Sequence, residues 1–253
     1  MHTAMPHGSG DCWADDYDRG RPSYPPQALD VAGLPATAEA VDLGAGTGKL
    51  TRLLVERFAR VFAVEPAVAM RRVLERAAPR ATVLDGSAEA IPLGDDSADA
   101  VFSAEAFHWF DHDVAVAEIA RVLRSGGALV LLWNRPAGPT EPSTGEAERI
   151  LRARLPEKRF DYDPLDLSAA AAEPDRWSHA FDGAPFSPLR HVELPNEQAL
   201  AADDLVAFYA SMGWVGDLPD DERLPLLAEV RAHLSAELYV RRWTTSAWWA
   251  RRL

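Results

Sequence analysis

The stretch Ala40-Val41-Asp42-Leu43-Gly44-Ala45-Gly46-Thr47-Gly48-Lys49 decides how the rest of the chain is read. Val41 and Leu43 suit a buried strand, and Asp42 falls where that strand ends. Gly44, Gly46 and Gly48 follow at alternate positions. Glycine turns readily with positive φ, and its missing Cβ lets a ligand approach the backbone. Leu50, Leu53, Leu54 and Phe58 then recur at helical spacing, so the glycines join a strand to a helix. That context makes the cluster a candidate nucleotide site, with helix N–H groups aimed at an anionic part of the ligand such as a carboxylate. A dinucleotide fingerprint runs G-x-G-x-x-G, whereas here the order is G-x-G-x-G and Lys49 takes the sixth place. Asp42 would repel a pyrophosphate and suits a ligand with a cationic amine. The loop therefore points to a nucleoside-type ligand and away from a nicotinamide dinucleotide.

Working outward, residues 60–65 read as a second strand closed by Pro66, and 67–77 as a helix with Met70, Val73, Leu74 and Ala77 on one face. Residues 81–84, 98–103 and 128–133 read as further strands. A helix over 114–123 precedes the last of them, with Gly126-Gly127 expected to end it. Strands alternating with helices at this spacing predict an α/β fold with a doubly wound, mostly parallel sheet and helices on both faces. Ligands on such sheets bind beyond the carboxyl ends of the strands. That rim carries the turns after Asp42, Glu65, Asp85, Ser103 and Trp133. Residues 189–194 and 238–249 alternate like strands and suit an antiparallel pair at the sheet edge, with helices over 202–212 and 224–234.

The flanking segments are less regular. Residues 11–27 hold three prolines, Pro22, Pro25 and Pro26, and read as an extended arm. Trp13, Tyr17 and Tyr24 are costly to leave in water, so the arm is expected to fold over the core, with a helix beginning at 27–32. Residues 134–187 are rich in proline and include an alanine run at 169–172. Phe160, Tyr162, Trp177 and Phe181 point to a cap packed over the substrate side. The whole of 1–253 reads as a single domain.

Composition excludes several classes. A chain of 253 residues, 47% hydrophobic and 26% charged, is that of a globular protein with a sizeable core. A formal net charge of −13 argues against nucleic-acid backbone binding, which needs clustered Lys and Arg. The single cysteine, Cys12, allows no intramolecular disulfide and no multi-cysteine zinc site, and no metal cluster is apparent. No apolar run approaches the roughly 20 residues of a membrane span. The N-terminal residues lack a leader pattern, so a cytoplasmic protein without a membrane partner is expected.

The chemistry-bearing residues lie on the rim. Glu65 follows the first glycine by about twenty residues, where a carboxylate can accept both hydroxyls of a ribose. The turn at Asp85-Gly86-Ser87-Ala88-Glu89 is where an adenine edge would lie. Glu105-Ala106-Phe107-His108-Trp109-Phe110-Asp111 is aromatic-rich. His108 is the candidate catalytic residue, as a base or as a substrate contact. Phe107, Trp109 and Trp133 are the candidate substrate contacts, with the Trp109 ring suited to a neighbouring cation.

Several motifs occur in one order: Tyr17-Asp18-Arg19-Gly20-Arg21-Pro22-Ser23-Tyr24-Pro25, the glycine loop, Val64-Glu65-Pro66, Ala88-Glu89-Ala90-Ile91-Pro92, Phe107-His108-Trp109-Phe110 and Arg121-Val122-Leu123-Arg124-Ser125-Gly126-Gly127. Together they resemble the class I S-adenosylmethionine-dependent methyltransferases, in particular small-molecule enzymes similar to the trans-aconitate methyltransferase group. The resemblance is strong over about residues 15–135 and weak beyond. It implies a seven-stranded Rossmann-like sheet and S-adenosylmethionine as cofactor. Asp42, Gly44, Ala45 and Gly46 would lie around the methionine portion, with Glu65 at the ribose and Ser87 and Ala88 near adenine. The Ser103–Ala106 turn after the fourth strand, with Ala104 in it, would sit beneath the sulfonium. Tyr17 and Arg21 would lie in an arm that closes over the cofactor, with Arg21 as a partner for its carboxylate. Ser125 stands where the family usually has proline, and Ser87 where it often has an acid, which leaves adenine recognition to backbone groups. The implied reaction is transfer of a methyl group to a small-molecule acceptor by in-line displacement. An oxygen or nitrogen acceptor would call on a base, whereas a carboxylate acceptor would need none. The same cofactor site could serve a cyclase or lyase using S-adenosylmethionine, or a non-catalytic S-adenosylmethionine-binding module.

Overall fold

The computed structural model describes residues 11–137, 144–154 and 173–253. Strands β1 (Glu39–Leu43), β2 (Arg60–Val64), β3 (Thr82–Leu84), β4 (Ala98–Ala104) and β5 (Leu123–Pro136) are connected through helices α2 (Thr51–Arg57), α3 (Val68–Ala77) and α4 (His112–Val122). With β6 (Arg190–Leu200) and β7 (Tyr239–Arg251) they form one seven-stranded sheet of order β3-β2-β1-β4-β5-β7-β6. β1 pairs in parallel with both β2 and β4, so the strand order reverses direction at β1 and opens a crevice at its carboxyl end. β7 pairs antiparallel with β5 and with β6. This is the expected doubly wound sheet with its antiparallel edge.

The central strands are apolar on both faces because both faces are covered. Val41, Leu43, Val101, Leu129 and Leu131 pack with Ala115, Val116 and Ile119 of α4. Ala40, Ala100, Phe102, Val130 and Leu132 pack against Leu50, Leu54 and Phe58 on the other side.

Three local expectations are corrected. Residues 11–20 form a helix, α1 (Asp11–Gly20), and not an extended arm. All three prolines lie beyond its C-terminal end, so they constrain the segment after the helix and leave the helix itself free to form. Ala14 packs with Met70 and Val73 of α3, and the Trp13 and Tyr17 rings, one turn apart, lie 5.4 Å from each other. The helix expected at 27–32 is a single 3-10 turn, Pro26–Leu29. Gly126-Gly127 do not end a helix, since α4 ends at Val122 and both glycines lie within β5, Gly126 at φ 79°.

A cap also builds from segments later in the chain. β6 runs in the same direction as β5, since both oppose β7, so Leu200 ends at the ligand rim. The connection from β6 to β7 therefore builds there, as α6 (Ala202–Ala210), α7 (Gly213–Gly216) and α8 (Asp220–Ala232). Leu205, Phe208, Trp214, Leu226 and Val230 pack with Ile150 and Leu151 of α5 (Gly145–Ala153) and with Trp243. Of the stretch 134–187, α5 joins this cap, whereas Trp177 and Phe186 return to the main core. Phe160, Tyr162 and the alanine run at 169–172 lie outside the described residues.

Candidate active site

The glycine loop leaves β1 with Gly44 at φ 71° and Gly46 at φ 56°. A Cβ on Gly44 would lie 2.6 Å from the Ala106 Cβ, so the loop presses against the turn after β4. A Cβ on Gly46 would meet nothing within 4 Å, so this backbone faces open space on the rim. Ala45 turns the other way and packs with Ala63, Leu74 and Ala78.

Glu65 is buried at the end of β2, and its two oxygens clamp two backbones. Oε2 accepts from the Gly46 N–H at 2.9 Å and Oε1 from the Ala67 N–H at 2.8 Å. Burial raises its pKa, against the pull of these two amides. Each carboxylate oxygen keeps a lone pair beyond those bonds. Asp42 is also buried, and its Oδ2 accepts from the Thr51 hydroxyl at 2.6 Å. Burial pushes its carboxyl up to about 7, partly opposed by the bonds from Thr51. Asp42 thus braces the start of α2.

The turn after β4 carries a third acid. Glu105 has φ 52°, rare for a residue with a side chain. Its N–H donates to the Leu132 carbonyl at 2.9 Å, and its Oε1 accepts from the Asn134 N–H at 2.6 Å. Burial raises its carboxyl to about 7. His108, one turn on, is fixed by the Trp133 indole, whose Nε1–H donates to Nδ1 at 3.3 Å. That bond puts the neutral ring's proton on Nε2. Burial, with His112 and Arg176 nearby, pulls the imidazole down to about 4.

The two aromatic neighbours part company. Trp109 is 42% exposed on the rim, with its ring 4.7 Å from His108. Phe107 and Trp133 are fully buried, and both meet Trp177, Trp133 by stacking at 5.3 Å. These two, expected at the acceptor, support the rim from behind because the flat aromatic run turns inward around Trp177. Ala88 likewise puts its side chain into the core, and the backbone of Ser87 forms a bridge with Ala90. Ala104 is the last residue of β4, beside Glu105.

The arm closes the site from above. Gly20 meets α6 so tightly that a Cβ would lie 2.1 Å from the Phe208 nitrogen. Arg21 donates from Nε to the Ser211 hydroxyl at 2.8 Å and from Nη2 to the Ser211 carbonyl at 2.9 Å. Asn196 Nδ2 and Asn134 Nδ2 both donate to the Ser23 carbonyl, tying the arm to the sheet edge. Tyr24 is buried and Tyr17 partly so, and the pKa values of both phenols rise through desolvation, with Glu105 among the charges acting on both. Tyr17 also feels Glu65, and Tyr24 feels Asp42. Tyr17, Arg21, Asp42, Glu65 and the glycine loop are thus gathered in one place. Glu105 and Tyr24 join them, Tyr24 from the arm expected to fold over the core and Glu105 from the turn after β4, although neither was given a role of its own from the sequence. An acid directly after an apolar strand on the rim was the available signal for Glu105.

This arrangement fits a nucleoside carrying positive charge: open backbone at Gly46, a buried acid with spare acceptor capacity at Glu65, and two further acids alongside, Asp42 buried and Glu105 half-buried. A methyltransferase-domain family profile matches residues 41–131. An uncharacterized methyltransferase-like protein of Schizosaccharomyces pombe is 33% identical over 220 residues, covering 85% of this chain and 81% of its own length. The chain belongs to the methyltransferase family. An uncharacterized methyltransferase of Mycobacterium tuberculosis is 58% identical over 119 residues, 47% of this chain. That match spans 49%, about half, of the mycobacterial relative's length. A solved structure of a provisionally assigned type II methyltransferase from Anaeromyxobacter dehalogenans has a TM-score of 0.59 at 26% identity, over 92% of this chain and 97% of its own. The fold is the class I methyltransferase fold, and the cofactor of this family is S-adenosylmethionine. Among the described residues no group of three or more His, Cys, Asp or Glu could hold a metal ion, and no helix is long and apolar enough to cross a membrane.

Proposed function

We propose that this methyltransferase-family chain transfers the methyl group of S-adenosylmethionine to a small-molecule acceptor. Its cofactor half is of the kind found in the trans-aconitate methyltransferase group, which the motif order resembles. The observation that carries the reading is the clamp of Glu65 on the Gly46 and Ala67 amides, which holds a buried acid against an open glycine backbone.

S-adenosylmethionine supplies a methyl group on a cationic sulfonium that departs as a neutral thioether. Glu65 takes the ribose hydroxyls with its remaining lone pairs. The backbone of Gly44 and Gly46 runs beside the methionine portion, and that of Ser87 and Ala88 beside adenine. Tyr17 and the Arg21 segment cover the site, and with the α5–α8 cap they exclude water and hold donor and acceptor in line. Trp109 presents its exposed ring to the acceptor. His108 stays neutral and offers its Nε2–H as a hydrogen-bond donor, a role different from the base its position first implied.

Calorimetry tests the reading with S-adenosylmethionine and S-adenosylhomocysteine. Micromolar binding to the wild type, weakened at least tenfold by Glu65→Ala, is expected. Failure of the wild type to bind either ligand would refute it.

A further inference from the structure

Three acids end three adjacent strands, Asp42 and Glu65 buried and Glu105 half-buried, and they are not equivalent. Asp42 gives an oxygen to the start of α2 through Thr51. Glu65 spends both oxygens on backbone amides of the loops it clamps. Glu105 has only Oε1 engaged, by the Asn134 N–H at 2.6 Å, and Oε2 meets no hydrogen-bond donor among the described residues. Its backbone is held in the left-handed region, at φ 52°, by the bond from its own N–H to the Leu132 carbonyl. Strain of this kind at a side-chain-bearing residue persists where surrounding structure over-determines it, and it gathers at active sites. The next residue, Ala106, presses on Gly44, so the turn that carries Glu105 stands beside the glycine loop, across β1 from the strand that ends at Glu65.

We propose that Glu105 is the general base of this enzyme, and hence that the acceptor carries an ionisable O–H or N–H in place of a carboxylate. The inference rests on the methyltransferase reading above. In the step, the acceptor's proton passes to Oε2 of Glu105 while a lone pair of the acceptor oxygen or nitrogen forms the bond to the methyl carbon. The carbon–sulfur bond breaks with its electron pair left on sulfur, and Glu105 later returns the proton to water. A carboxylate acceptor is ionised already and would give this residue nothing to do.

Other features of the site agree. His108 is a poor base here: its Nδ1 accepts from Trp133, and its neutral Nε2 carries the proton. The groups facing Glu105 come from the arm, as Arg21 and the Tyr17 and Tyr24 phenols, and from β5, as the Asn134 amide. Burial raises the carboxyl pKa and Arg21 opposes it, leaving the group near 7, where a base is most effective. Arg21 is itself held on Ser211, so it modulates the acid without pairing with it.

Glu105→Gln is the informative variant, because its amide oxygen can still accept from Asn134 N–H and preserve the turn. S-adenosylhomocysteine release would be followed with phenols, aliphatic alcohols, primary amines and carboxylates as acceptors. Turnover of a hydroxyl or amine compound is expected, with kcat/KM rising about tenfold per pH unit to a plateau above about 7. Glu105→Gln should lose at least a hundredfold in kcat and keep S-adenosylmethionine affinity within about threefold. Turnover of carboxylates with a flat pH profile, or a Glu105→Gln variant retaining a tenth of the rate, would overturn the proposal. So would a tenfold loss of S-adenosylmethionine affinity with S-adenosylhomocysteine affinity intact, since Glu105 would then be a partner of the cofactor's charge. Wild-type protein that binds neither ligand would instead remove the methyltransferase reading on which the proposal stands.

Discussion

Gly44 and Gly46 lie two residues apart in one loop, both with positive φ, yet alanine at each should do opposite things. At Gly44 the new methyl would sit 2.6 Å from the Ala106 Cβ and 3.3 Å from Phe110 Cζ. The left-handed backbone costs a residue with a Cβ about 1–2 kcal/mol, and overpacking of a filled site adds about 1–3 kcal/mol. Gly44→Ala should therefore lose roughly 2–5 kcal/mol of stability, a fall in Tm of roughly 5–15 °C for a chain of this size. At Gly46 the methyl finds nothing within 4 Å, so only the backbone cost applies, about 1–2 kcal/mol. That methyl points instead into the space assigned to the cofactor. Gly46→Ala should stay folded, with its Tm within several degrees of wild type, while S-adenosylmethionine affinity falls at least tenfold. Thermal denaturation and calorimetry on the two variants decide the matter. Native affinity in a folded Gly46→Ala protein, or equal destabilisation by both substitutions, would show that the open side of this loop is not where the ligand lies.

Other consequences are equally direct. The folded His108 imidazole is depressed from 6.5 to about 4, so its contribution is fully present above 6.5 and is lost as pH falls through 4. Wild-type protein should lose up to about 3 kcal/mol more than His108→Gln between pH 6.5 and 4, and equal acid slopes in chemical denaturation would refute the burial of a neutral ring. Gly20→Ala forces a methyl to within 2.1 Å of the Phe208 nitrogen and should lift α1 from α6. Limited proteolysis should then cut near residues 11–25, and cofactor affinity should drop; a variant as resistant as wild type would mean that the contact is not required to close the arm.

The order of strands and helices through β5 was readable from the sequence because each element carries its own period of apolar residues and its own stop signal. Leu50, Leu54 and Phe58 mark one helix face, and Pro66 closes β2. The glycine loop and Glu65 were readable for a similar reason, since a turn after a strand and an acid about twenty residues on are local facts. The helical form of the arm was hidden because three prolines dominate its composition, although all of them come after the helix. The part of the cap built from α6 to α8 was hidden because its location depends on the direction of β6, and a strand's pairing partner is not written in its own residues.

Tertiary structure alone decided the roles on the rim. Phe107, Trp109 and Trp133 are alike in sequence as aromatic residues near strand ends, yet packing around Trp177 buries two and leaves Trp109 outside. Asp42, Glu65 and Glu105 are likewise three acids at strand ends. Which oxygens they commit depends on the neighbours that folding brings: Thr51, the Gly46 and Ala67 amides, and Asn134. A residue's type and period come with the chain, whereas its burial, its hydrogen-bond partners and therefore its acidity arise only when distant segments meet.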